Sequence, residues 1–214
     1  MPIFPDIQYV NGLQPLPGER FAWTMVRKLG ELQLVDQTDY PDYNMIHLEN
    51  DINQRINNYN GTDQELELIF HRIQIWGGNH GRYIYVRGGQ YFTHNKQHVI
   101  NEYRNLVNTC LHIHDTSNES RQAMYDAIVA FNDNVKYIGV SFITKHTRFW
   151  LQQSLGIQAL PIYDDTMAQE IMGCNEARIE GILPYWDAMI QQANSVNVDL
   201  VSLERQLFAH FKES

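Results

Sequence analysis

From residue 97 onward apolar residues return every three or four positions, and a chain patterned in this way packs as helices. "KQHVINEYRNLVNTCLHIH" puts Val99, Tyr103, Leu106 and Cys110 on one face, and "ESRQAMYDAIVAFN" does the same with Met124, Ile128 and Phe131. A short link, "DNVKYIGVSFI", leads to a third helical stretch, "TKHTRFWLQQSLG". Gly139 marks a tight place in the link, Ser141 is a candidate cap, and Gly156 stands where the third helix should stop. Further helices are expected at "TMAQEIMG", at "ARIEGILPYWDAMIQQANSV" around Pro184, and at "DLVSLERQLFAHFKES", an amphipathic stretch with Asp199 or Ser202 near its start.

The first half is less regular. Residues 1–20 are rich in Pro and Gly and read as loop, and "FAWTMVRKLGELQL" reads as a helix. "LENDINQRINNYNGTDQELELIFHRIQIWGG" reads as polar helix or loop running into an apolar element that ends at Gly77–Gly78. In "RYIYVRGGQYFTH" aromatic and β-branched residues flank Gly88–Gly89, the pattern of a hairpin. The expectation is a mostly α protein with a small β-hairpin in its first half. It has an N-terminal lobe over residues 1–96 and a helical lobe over 97–214.

Hydrophobic residues make up 43% and charged residues 19% of the chain, the balance of a globular protein. No apolar run approaches the roughly 18 residues that span a bilayer, so no membrane partner is expected. The start, "MPIFPDIQYVNG", lacks the basic and apolar regions of a signal peptide. Cys110 and Cys174 do not make a disulfide framework, and a cytoplasmic location fits. The net charge of −9 argues against a generic nucleic-acid binder, yet residues 71–148 carry nine Lys/Arg against five Asp/Glu. A basic middle in an acidic chain suits a phosphate backbone; a chance fluctuation of charge is the plain alternative.

One lysine is oddly placed. Lys145, in "FITKHTRFWL", falls in what reads as the first turn of a helix, the wrong end of the helix dipole for a cation. Asp164 follows nineteen residues later, in "LPIYDD", and heads the next helix. A lysine that works as a nucleophile must lose its proton, although a solvated one titrates near about 10.4. The helix terminus, burial beside Phe149 and Trp150, and nearby Arg148 or His146 would all lower it. The plain alternative is a solvated lysine whose stem covers Trp150. Asp164 is a good helix cap in any case, and Asp165 is the competing carboxylate.

Helix, short link, helix, an early lysine and an aspartate nineteen residues on: this unit resembles the helix-hairpin-helix DNA glycosylase superfamily, and within it the 8-oxoguanine DNA glycosylase branch. The likeness covers about residues 97–214. "WGGNHGRYIYVRGG", "FITKHTRFW", "PIYDD" and "LERQLF", in that order, look like a group of bacterial proteins described as having an 8-oxoguanine glycosylase fold, some of them associated with anti-phage defence. The resemblance implies a helix-hairpin-helix glycosylase-like fold and a DNA glycosylase with AP-lyase activity in DNA repair, acting on DNA that contains a modified guanine-type purine. Lys145 would be the catalytic nucleophile and Asp164 its electrostatic partner, with no metal or other cofactor.

The same resemblance suggests base-binding residues. Glu204 and Phe208 lie four apart on the terminal helix, where the branch carries a glutamine and a phenylalanine that touch the extruded base. A carboxylate accepts hydrogen bonds only, and suits the two adjacent donors of a guanine edge. Phe149, one turn after Lys145, would supply the opposite wall. Core packing for both rings and solvation for Glu204 is the plain alternative. The family's Gly-x-Gly turn, which grips a DNA phosphate, is reduced here to Gly139 in "GVSFITK". Asn79, His80, Arg82 and Arg87 in the Gly-rich segment are the candidate replacements, with plain hairpin-loop roles for Asn79, His80 and Arg82 as the equal alternative; Arg148 is a further candidate for nucleic-acid binding.

"CLHIHD" (Cys110, His112, His114, Asp115) invites a metal site, but on a helix His112 and His114 point about 200° apart. Two further readings stay open. One is a non-catalytic module that keeps the glycosylase fold and binds nucleic acid or a partner. The other is a Schiff-base enzyme acting on a free nucleoside or nucleotide.

Overall fold

Three long helices form where the apolar spacing demands them: α5 (Tyr91–His112), α6 (Asn118–Asn134) and α7 (Val140–Leu155). The computed structural model describes residues 2–12, 23–39 and 45–213. Its other α-helices are α1 (Trp23–Glu31), α2 (Met45–Asn57), α3 (Asp63–Trp76), α4 (Tyr83–Val86), α8 (Asp165–Glu170), α9 (Ile182–Val196) and α10 (Leu200–Glu213). There is no strand among the described residues. Residues 13–20 of the expected loop at 1–20 lie outside them.

The β-hairpin expected around Gly88–Gly89 is a helical corner instead. A 3₁₀ turn at Asn79–Arg82 runs into α4, and Gly88, Gly89 and Gln90 all take positive φ (57°, 67° and 68°) to reverse the chain into α5. The strand-forming residues serve packing. Ile84, Tyr85 and Phe92 are buried, and the Tyr85 hydroxyl lies 2.7 Å from His71 Nδ1. Preference for strands reflects how such side chains fit a half-buried surface, and a helix corner offers one too. Gly88 suits the corner because its φ of 57° is one that residues with a Cβ rarely adopt, and the Tyr137 ring packs close over it.

Helix ends follow local chemistry. Thr62 caps α3 by accepting from the Glu65 amide (3.3 Å), and Ser117 caps α6 through the Ser120 amide (3.3 Å). Gly156, at φ 58°, ends α7 as its type and place suggest. The start of α7 differs from expectation: Gly139 is its N-cap, and Ser141 lies inside the helix with its hydroxyl turned to another task.

α7 is the centre of the molecule, packed on by α2, α3, α5 and α6. All of Phe142–Leu151 is buried, including five consecutive polar residues, Thr144 to Arg148. Such a run is tolerable only if its groups are paired, and they are. Thr144 accepts from the Tyr163 amide (3.1 Å), and Thr147 donates to the Thr144 carbonyl (3.0 Å). His146 bridges Gln74 (3.1 Å) and the Tyr103 hydroxyl (2.9 Å), to which the Trp150 indole also donates (2.7 Å). The apolar core is one cluster from Met25 to Leu207, and the 96–97 junction falls inside α5.

Candidate functional site

Asp164 and Lys145 come together because Thr144 ties the two segments. Its hydroxyl contacts both the amide and the carbonyl of Tyr163, which fixes the "PIYD" turn against the second turn of α7. Asp164 then caps α8, its Oδ1 accepting from the Met167 amide (3.1 Å). Its other oxygen, Oδ2, stands 3.9 Å from Lys145 Nζ. Asp165 is engaged elsewhere, accepting from the Ala177 amide (2.8 Å).

Lys145 is 9% exposed. Its amine donates to the Ser141 hydroxyl (2.8 Å) and approaches the Ser141 carbonyl (3.4 Å), one turn back along α7. The Phe142 ring centroid lies 5.1 Å away. Burial pushes its pKa down, against the pull of Asp164, Glu204 and Asp165, while Lys212 adds to the lowering. This corrects the dipole explanation. Lys145 is the sixth residue of α7, in the second turn, and the dipole effect fades within the first. His146 is no source of positive charge either, because burial holds it neutral with a pKa pushed down to about 3.

Glu204 and Arg148 are not where the resemblance would use them. Glu204 is buried, pairs with Arg148 Nε at 3.1 Å, and accepts from the Ile162 amide at 2.5 Å. Arg148 also donates to Gln152. The carboxylate is therefore spent on joining α10, α7 and the Asp164 turn, and Arg148 offers no charge to a phosphate. Burial raises the Glu204 pKa, with Arg148 and the Ile162 amide opposing. Phe149, 2% exposed, packs edge-on against Trp76 at 5.0 Å and is core rather than wall. Phe208 is partly buried against the core, with Lys212 Nζ 5.4 Å from its ring.

Asn79, His80, Arg82 and Arg87 are exposed, on the 3₁₀ turn and the corner that follow α3. Of the four, His80 lines a cavity of about 180 Å³ whose walls also include Gln74, Tyr83, Ser141, Phe142 and Asp165. Ser141 links this cavity to the lysine. A larger hollow of about 610 Å³, between the end of α1 and Arg72, has none of these residues in its walls and is open to solvent. Close contact shapes the smaller one: a Cβ on Gly81 would lie 2.5 Å from the Gln74 carbonyl oxygen and 2.9 Å from the Phe142 ring.

Ser141 and Phe142 were not singled out for the site from the sequence. The four-residue spacing of Ser141 and Lys145, one helical turn, is the signal that finds the first. His112 ends α5, its Nδ1 2.6 Å from the Asn108 carbonyl, and no cluster of three potential metal ligands occurs among the described residues. No described helix is long and apolar enough to cross a membrane. Compared with family models, with curated proteins and with solved structures, the chain finds no match.

Proposed function

We propose that the protein is a DNA N-glycosylase with associated β-lyase activity, acting on a modified guanine-type purine through Lys145. The observation that carries this reading is the buried Lys145 amine, held by Ser141 at 2.8 Å with the Asp164 carboxylate at 3.9 Å. Burial favours the neutral amine, which has a lone pair to give. The carboxylate is close enough to stabilise positive charge on a sugar without quenching the nucleophile in a tight ion pair.

Lys145 supplies the nucleophile and Asp164 a proton relay, while water supplies the proton taken by the departing base and accepts the one removed from C2′. The Nζ lone pair forms a bond to C1′ as the C1′–N bond breaks and its electrons leave with the base, which takes a proton. The new amine passes its own proton by way of the Asp164 carboxylate to O4′ as the C1′–O4′ bond opens, and a protonated Schiff base results. Removal of a C2′ proton then expels the 3′ phosphate by breaking the C3′–O bond. The four motifs that resemble the bacterial 8-oxoguanine glycosylase-fold group support the DNA substrate, and a defence role rests on that resemblance.

Borohydride reduction in the presence of an oligonucleotide carrying 8-oxoguanine or an abasic site should trap a covalent protein–DNA adduct. Lys145→Gln should abolish the adduct and leave the helical circular-dichroism spectrum unchanged. Equal trapping by the variant sinks the assignment. Binding of DNA without trapping across a panel of modified bases favours the non-catalytic reading instead.

A further inference from the structure

Two long stretches of this acidic chain contain no carboxylate, and the fold brings them to one face. Residues 68–101 and 134–163 have no Asp or Glu, in a sequence with 25 among 214 residues. They meet where Tyr137, on the link between α6 and α7, packs against Tyr91 (5.5 Å, edge-on) and over Gly88. Arg82, Arg87 and Lys136 are exposed there. Among the described residues no carboxylate lies within ion-pairing distance of any of the three, whereas Arg72 and Lys96 of the same stretch pair with Asp51 and Glu67.

Flat groups are interleaved with these cations. His80 stacks on Tyr83 (5.5 Å, 15° between planes), and the Arg87 guanidinium lies 3.7 Å over the Tyr83 ring. Tyr137 is 41% exposed and sits in the left-handed region at φ 65°. That conformation is uncommon for a bulky residue, and such strain clusters at working surfaces. His80, Tyr83 and Tyr137 all line the cavity that reaches Ser141.

We propose that this face docks single-stranded DNA. Unpaired bases stack on Tyr137 and on the His80–Tyr83–Arg87 group, while Arg82 and Lys136 hold phosphates. A duplex buries the faces of its bases, so a platform of several rings suits successive bases of an unpaired strand. Cations spaced among rings and not paired with carboxylates suit a polyanion despite the net charge of −9. The inference rests on the reading that the substrate is DNA but not on the chemistry of Lys145.

The test is fluorescence anisotropy with a labelled single-stranded DNA oligonucleotide, its duplex and an RNA of the same sequence, over a range of salt. The single-stranded DNA should bind tightest, with affinity falling as salt rises. Tyr137→Asn keeps a residue that tolerates the left-handed backbone, and should weaken that binding about tenfold. Arg87→Gln should weaken it and flatten the salt dependence. Lys145→Gln should bind as wild type does, which separates docking from catalysis. Preference for duplex or RNA, no binding at all, or unchanged binding by Tyr137→Asn with the fold intact, overturns the proposal. Adduct trapping on duplex alone would overturn it and leave the glycosylase reading standing; single-strand binding without trapping would do the reverse.

Discussion

Two of the oxygens around the Lys145 amine differ in character, and they do different work. The Ser141 hydroxyl at 2.8 Å orients it, while the Asp164 carboxylate at 3.9 Å raises its pKa against the larger effect of burial. Asp164→Asn keeps a side-chain oxygen to cap α8 and removes the charge. The variant lysine should therefore deprotonate at lower pH. Trapping yield plotted against pH should rise at a lower pH than in wild type, at a reduced maximum. A profile that does not move would mean that the carboxylate is not felt at the amine. Asp164→Ala should additionally cost about 1 kcal/mol of stability through the lost cap, read by urea denaturation.

α7, α10 and the turn before α8 are clamped by one buried ion pair, Arg148 with Glu204, whose carboxylate also takes the Ile162 amide. Arg148→Met leaves that carboxylate without its cation, and should destabilise the fold by about 3–5 kcal/mol in urea denaturation. Adding Glu204→Leu to Arg148→Met should recover part of the loss, because the buried charge is then gone. Neither residue's task was legible in the sequence. They lie 56 positions apart, and only packing makes them neighbours. The helices after residue 97 were legible because a 3.6-residue period demands one buried face. The corner at Tyr83–Tyr91 was misread because Tyr, Ile and Val beside two glycines satisfy a hairpin pattern and a tight helical corner equally. The Lys145–Asp164 pair was legible as a spacing. That burial rather than the helix terminus depresses the lysine was not, since the sequence does not say that α7 begins at Val140 and runs through the centre.

The whole molecule is organised around a buried polar helix, and its stability should record that in its pH dependence. His146 moves from an ordinary 6.5 to about 3 because burial disfavours its charged form. Between those values the unfolded chain binds a proton that the folded one refuses, so stability falls as pH drops from about 6.5 toward 3. His71, also buried and lowered, adds to the same slope. Urea midpoints measured from pH 8 to pH 3 should fall less steeply in His146→Gln than in wild type; parallel curves would refute this. A different property follows from the strap formed by residues 10–12. Val10 exchanges hydrogen bonds with Gln206 (2.9 and 2.6 Å), Gly12 does so with Ser202 (3.0 and 3.1 Å), and Asn11 accepts from the Asp199 amide (2.9 Å). These contacts close a loop of nearly the full chain, so they must form late in folding, after local helices have condensed. They are also few and near the surface, so they should open first. In hydrogen exchange the Val10 and Gly12 amides should lose protection together, well before the amides of α7, and α10 should begin to loosen from the end that the strap covers.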